Sequence, residues 1–141
     1  MIVIDTNLFS EYMSARPAPE VEAWRATVHP ADVHITTITR AEVRQGVGLL
    51  PDGRRRDVLE ERAERALVAL TPRTLPFDNA AADRYGEIVA RWVRFGRPIT
   101  ALDAQIAAIA LAHHAAVATR DVGRFADTGV RVIDPWNFSR G

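Results

Sequence analysis

Short β-branched runs alternate along the chain with longer segments of helical periodicity, and this alternation constrains the fold more than any other feature. Strands are predicted at 2–4, 33–37, 74–77, 116–119 and 130–133. Helices are predicted at 8–13, from Pro19 to about 28, and at 39–50, 54–70, 79–95 and 100–114. Strands that alternate with helices indicate an α/β fold with a mainly parallel central sheet.

The length of 141 residues suits one compact domain, and we expect residues 1–141 to form it. The sequence contains no apolar run long enough to cross a bilayer, and Asp5 comes too early for a signal peptide. We therefore expect a cytoplasmic protein with no membrane partner. The absence of cysteine excludes disulfides and thiolate metal sites.

Four acidic residues share a position relative to the predicted elements. Asp5 ends the first strand, and Asp121 follows the fourth strand by two residues. Glu42 and Asp103 fall in the first turns of two helices that could begin at the same sheet edge. The carboxyl ends of parallel strands form the usual ligand-binding edge of an open α/β sheet. The four acids are therefore the candidate site residues.

Each acid also has a local explanation. Thr39 with Glu42, and Thr100 with Asp103, have the spacing of a capping box. Asp5 and Asp121 could cap the helical segments that follow them. If the acids converge instead, two carboxylates about 4 Å apart repel by about 4 kcal/mol at an effective dielectric near 20. Arginines or a cation would have to offset that repulsion, and an all-oxygen ligand set suits Mg²⁺ or Mn²⁺.

Several other enzyme classes lack their required residues. His113 and His114 are adjacent, so on a helix they point about 100° apart and do not form a zinc pair. The sequence has no Gly-x-Ser-x-Gly motif, and Gly46-Val47-Gly48 lacks the third glycine of a dinucleotide loop. Receiver domains and aspartate-nucleophile phosphatases use a lysine, but all 18 basic residues here are arginine.

Four motifs follow one another in a fixed order and spacing: Ile-Asp-Thr-Asn at 4–7, Thr-Arg-Ala-Glu-Val at 39–43 with Gly46, the segment 99–108 containing Asp-Ala-Gln-Ile-Ala at 103–107, and Ala-Thr-Arg-Asp at 118–121 with Phe125. Together they resemble the PIN-domain ribonucleases, and among them the VapC-like, FitB-like toxins of bacterial type II toxin–antitoxin pairs. The closing Val-Ile-Asp-Pro-Trp at 132–136 is also characteristic. The resemblance covers nearly the whole chain and implies a three-layer PIN-like fold.

The resemblance further implies a Mg²⁺-dependent endoribonuclease, with Mn²⁺ as a possible substitute, that cleaves tRNA or rRNA. Asp5, Glu42, Asp103 and Asp121 would be its metal and catalytic residues, with Glu42 orienting or deprotonating the attacking water. It also implies a homodimer, a cognate antitoxin that blocks the site, and contact with promoter DNA only through that antitoxin. The alternative is a weakly catalytic or non-catalytic module that acts as the antitoxin's partner in a regulatory complex.

Two groups of arginines and one asparagine have open roles. Arg54 to Arg56, and Arg91 with Arg94 and Arg97, could contact RNA or could form solvated helix faces, because short surface charge runs are common. The net charge of zero argues against binding nucleic acid by bulk attraction alone. Asn7 is expected either to support Asp5 by a hydrogen bond or to serve the start of the first helix.

Overall fold

The sheet is parallel throughout in the computed structural model, which describes residues 1–139. Its strands are β1 (Ile2–Ile4), β2 (Val33–Thr36), β3 (Thr74–Leu75), β4 (Ala116–Ala118) and β5 (Val132–Ile133). The helices are α1 (Thr6–Met13), α2 (Pro19–Arg25), α3 (Thr37–Gly48), α4 (Arg54–Leu70), α5 (Asn79–Arg94) and α6 (Ala101–Ala112). The predicted α/β class with a mainly parallel sheet is confirmed.

The strand order is β3-β2-β1-β4-β5, which places β1 at the centre. Ile2 is in register with Val33 of β2 on one side and with Ala116 of β4 on the other. Because these three strands run in the same direction, their carboxyl ends meet at one edge. The residues that follow Ile4 and Ala118 are therefore brought together, although more than a hundred positions separate them in the chain.

Helices cover both faces of the sheet and complete three layers. Val3 and Val117 lie in one core with the buried residues of α5 and α6, whereas Ile4 and Ile35 lie in a second core with those of α1 to α4. Successive strand residues thus serve opposite faces, as the pleat requires. Trp24 and Trp92 are each 5% exposed and belong to these cores.

The start of α3 differs from the prediction. Thr36, not Thr39, is the N-cap residue, and its Oγ1 accepts a hydrogen bond from the Thr39 N–H at 3.1 Å. The capping box proposed for Thr39 and Glu42 is therefore wrong, and Glu42 lies in the second turn instead of the first. The pairing of Thr36 with Leu75 ends β2 here and sets the first helical residue at Thr37.

No helix within residues 1–139 is both long and apolar enough to span a membrane.

Candidate active site

Asp5 comes directly after the central strand and is held by two hydrogen bonds. Its Oδ1 accepts from the Leu8 N–H at 2.9 Å, so the carboxylate caps α1 as the sequence indicates. Its Oδ2 accepts from the Thr119 Oγ1 hydroxyl at 2.5 Å. The residue is only 3% exposed. Asp5 is therefore fixed in orientation at the carboxyl edge of β1.

Asp103 lies in the first turn of α6 and is bound by an arginine that the sequence did not single out. Thr100 caps the helix by accepting from the Asp103 N–H at 3.1 Å, which confirms Thr100 as the N-cap, although the Asp103 side chain bonds to an arginine and does not complete a capping box. Arg124 donates from Nη2 to Asp103 Oδ1 at 2.6 Å and from Nε to Oδ2 at 3.0 Å. Both oxygens of a carboxylate that is 4% exposed are thus engaged by one guanidinium.

Asp121 connects the start of α1 to the same arginine. Its Oδ2 accepts from Arg124 Nη1 at 3.3 Å and from Asn7 Nδ2 at 3.2 Å. The Asn7 amide therefore bonds to Asp121, so the first of its two expected roles, a hydrogen bond to Asp5, is wrong. Asp121 precedes the 3-10 turn Val122–Phe125 without a side-chain capping bond, so the predicted capping role is wrong.

Glu42 reaches this edge through a neighbour of Asp5. The Thr6 Oγ1 hydroxyl donates to Glu42 Oε1 at 2.9 Å, and Thr6 directly follows Asp5 in the chain. Glu42 is half-buried. The structure thus gathers Asp103 and Asp121 at Arg124 and links Glu42 to Asp5 through Thr6.

The PIN domain family matches residues 2–130. This chain belongs to the PIN-domain family. It is 41% identical over 138 residues to the toxin FitB of Neisseria gonorrhoeae, a match that covers 97% of this chain and 99% of that protein. It is also 40% identical over 137 residues to the VapC ribonuclease Y4jK of Sinorhizobium fredii, a match that covers 96% of this chain and 98% of that protein. The family resemblance drawn from the four motifs is confirmed.

A solved structure of FitAB bound to the IR36 DNA fragment matches this PIN domain with a TM-score of 0.90 and 40% identity, covering 99% of each chain. The three-layer PIN-like fold is therefore confirmed as well. Two motif acids of this PIN domain, Asp5 and Asp121, follow β1 and β4 and so lie at the edge where the ends of these strands meet.

Burial dominates the electrostatics of Asp5. Desolvation raises the pKa of its carboxyl above the ordinary value, while the hydrogen bonds from Thr119 and Leu8 and the charge of Arg124 act against that rise. The pKa of Arg124 is raised by its hydrogen bonds to Asp103, so the guanidinium stays charged. One cation thus faces three acids, which leaves this edge of the PIN domain with excess negative charge.

The ligand chemistry fits a hard divalent cation, because every acidic donor here is a carboxylate oxygen. Within residues 1–139, however, no three acidic or histidine side chains are grouped so that they could hold a metal ion. The Asp103 oxygens are directed to Arg124 instead. Sequence analysis missed Arg124, and the one available signal was its place three residues after Asp121.

Proposed function

We propose that this chain is a Mg²⁺-dependent endoribonuclease, able to use Mn²⁺, that acts as the toxin of a toxin–antitoxin pair. One observation carries the proposal. Two nearly fully buried carboxylates, Asp5 and Asp103, lie at the carboxyl edge of the sheet with Asp121 beside them, in a PIN domain related to a toxin and to a ribonuclease. Burying carboxylates is costly unless cations compensate them, and the single guanidinium of Arg124 faces three acids, which favours a role for a further cation.

The proposed roles follow from the contacts of each acid. Asp5, Asp103 and Asp121 would hold the metal, which supplies charge to polarise a phosphate and to activate water. Glu42 would accept the proton of the attacking water, oriented by the Thr6 hydroxyl 2.9 Å from its Oε1. The water oxygen bonds to phosphorus as the P–O3′ bond breaks, which leaves a 5′-phosphate and a 3′-hydroxyl.

The proposed substrate is tRNA or rRNA in the cytoplasm. Arg54 and Arg55 are exposed in the first turn of α4 and are free to meet phosphate. Arg91 and Arg97 have structural contacts instead, since they donate to the backbone oxygen and the carboxylate of Asp127. Arg56 also has structural contacts, to the Leu50 oxygen and to Asp52, and Arg94 is exposed at the end of α5. Because more of its arginines are free of such contacts, the start of α4 is favoured as the RNA-facing group.

Asp103→Asn tests the activity most directly. Partner-free protein is incubated with total RNA, with Mg²⁺ or with a chelator, and new 5′-phosphate ends are mapped. The wild type is expected to cut RNA only with Mg²⁺. The cleavage rate of Asp103→Asn is expected to be lower by about a hundredfold or more. Asp83→Asn, an exposed change on α5, is the matched control. Wild-type cleavage by Asp103→Asn would refute the site.

The proposed protein partner is a cognate antitoxin, and we place its docking segment in an apolar groove of about 320 Å³ between α1, α2 and α4. Phe9, Met13 and Ala69 line this groove, and the positively charged side chains of Arg25 and Arg73 line it as well. That composition suits an amphipathic segment with an apolar face and acidic flanks. Promoter DNA would be contacted only through the antitoxin.

A homodimer is the proposed assembly. Val93 and Phe95, at the end of α5, are 70% and 61% exposed, and Leu102 at the start of α6 is 44% exposed. Large exposed apolar side chains are candidates for interaction sites. The exposure of Val93 leaves it available to a second copy.

The second candidate is a binding module with weak or no catalysis. Two observations favour it: Arg124 occupies both oxygens of Asp103, and a related FitAB structure contains a DNA fragment. The same cleavage assay separates the candidates. Chelator-sensitive cutting by the free protein supports the nuclease, whereas inert protein that stably captures an antitoxin supports the module.

A further inference from the structure

Arg124 stands in the middle of the acidic edge and contacts two of its carboxylates. Its Nη2 and Nε form a fork on the two oxygens of Asp103 at 2.6 and 3.0 Å, and its Nη1 reaches Asp121 at 3.3 Å. Bidentate pairs of this kind are the strongest and most directional of the arginine–carboxylate contacts. In this conformation the guanidinium takes the place of the compensating cation.

The fork opposes metal binding at the same oxygens, because it takes one lone-pair direction of each and places a positive charge beside them. A Mg²⁺ ion needs carboxylate oxygens at about 2.0–2.1 Å in a near-octahedral arrangement. The fork instead directs N–H groups at both oxygens of Asp103, whose side chain is only 5% exposed.

Arg124 is able to leave without disturbing the core. Its side chain is 44% exposed, so the guanidinium is already partly hydrated. The backbone belongs to the 3-10 turn Val122–Phe125, and the next residue, Phe125, is 1% exposed and anchors that turn. Rotation of the Arg124 side chain alone would free both oxygens of Asp103.

We propose that Arg124 is a built-in counter-ion that competes with the divalent cation for Asp103 and Asp121, so that the metal binds only after the guanidinium has moved away. This inference rests on the proposed function, because it concerns the same metal site. The observed association constant for the metal is then the intrinsic constant multiplied by the fraction of molecules in which Arg124 has moved away. Without the guanidinium that fraction is one, so the metal should bind more tightly.

The test compares Mn²⁺ binding to the full chain by titration calorimetry, without RNA. Arg124→Gln is expected to bind Mn²⁺ about tenfold more tightly than the wild type, as for an arginine that occupies the site in about nine-tenths of molecules. Arg120→Gln is the matched control, because it removes the same charge four residues away. The Arg120 guanidinium lies over the Trp136 ring at 5.6 Å. Arg120→Gln is expected to change the Mn²⁺ affinity less than about twofold.

Arg124→Lys is a second variant for the same measurement, and it keeps the positive charge. A lysine cannot form the planar fork, so its Mn²⁺ affinity is expected to fall between those of the wild type and Arg124→Gln. This milder variant also serves if Arg124→Gln does not fold.

Equal or weaker binding by the Arg124 variants would overturn the inference while leaving the metal site in place. An equal gain in Arg124→Gln and Arg120→Gln would also overturn it, since general charge would then explain the effect. A chain that binds no Mn²⁺ in any form would overturn the metal dependence of the proposed function as well.

Discussion

Thr119 Oγ1 donates a hydrogen bond to Asp5 Oδ2 at 2.5 Å, and this contact joins the ends of the adjacent strands β1 and β4. The same hydroxyl oxygen accepts from the Asp121 N–H at 3.0 Å. Thr119 is fully buried, so its single hydroxyl serves as a shared support for two of the four motif acids.

Thr119→Val is expected to lower both stability and activity. Valine keeps the shape of threonine but leaves Asp5 without its donor and the Asp121 amide without its acceptor, at a cost of about 1–3 kcal/mol. The free energy of unfolding is measured by urea denaturation. Thr119→Ser retains the hydroxyl and is the control, and equal losses in the two variants would show that packing, not hydrogen bonding, is responsible.

Asp5→Asn is expected to make the metal-free protein at least as stable as the wild type at neutral pH. Burial raises the pKa of Asp5, so folding favours its protonated form. The contribution of this group to the free energy of unfolding therefore falls as the pH rises from the unfolded-state pKa through the folded-state pKa, and it stays low at neutral pH.

The measurement is thermal unfolding of both proteins in chelator at neutral pH and at pH about 3, where Asp5 is protonated in both states. The difference in unfolding temperature between Asp5→Asn and the wild type should be smaller at the lower pH. Asp83→Asn is again the control for loss of one surface charge. A clear loss of stability in Asp5→Asn at neutral pH would contradict the expected sign.

Val93→Asp is expected to weaken self-association. A carboxylate in place of the exposed Val93 side chain would be desolvated in the proposed dimer, so the dimer dissociation constant should rise about tenfold or more. Sedimentation equilibrium measures it. Leu49→Asp alters a side chain that is 77% exposed at the end of α3 and should leave association unchanged. Equal behaviour of the two variants would place the dimer surface elsewhere.

Ala69→Glu is expected to reduce antitoxin binding while leaving nuclease activity intact. Ala69 is exposed on α4 and lines the apolar groove, so a glutamate there adds bulk and negative charge to the surface proposed for an acidic-flanked segment. A loss of about tenfold or more in affinity is expected by calorimetry with the purified antitoxin. Val68→Glu is the control for the added charge, because Val68 is the exposed neighbour of Ala69 but does not line the groove. Unchanged affinity in Ala69→Glu would exclude this groove.

Local chemistry made much of the fold and part of the site predictable. The alternation of strand and helix periods indicates the α/β class, because these periods reflect which side chains face the core at each step. Asp5 caps α1 and Thr100 caps α6 as their spacing predicts, since a cap is satisfied by backbone amides two or three residues away.

The start of α3 was not predictable from spacing alone. Thr36, Thr37 and Thr39 are all capable caps, and the pairing of Thr36 with Leu75 in the neighbouring strand decides between them.

By itself, then, the sequence determined the element types, two of the helix caps and the four motif acids, because those depend on residues close together in the chain. Only the tertiary structure decided which partner each acid meets. Asn7 reaches Asp121 across 114 positions because β1 lies beside β4, and Arg124 reaches Asp103 because the 3-10 turn after β4 returns to the start of α6. Such contacts depend on strand order and chain reversal, which no local pattern encodes.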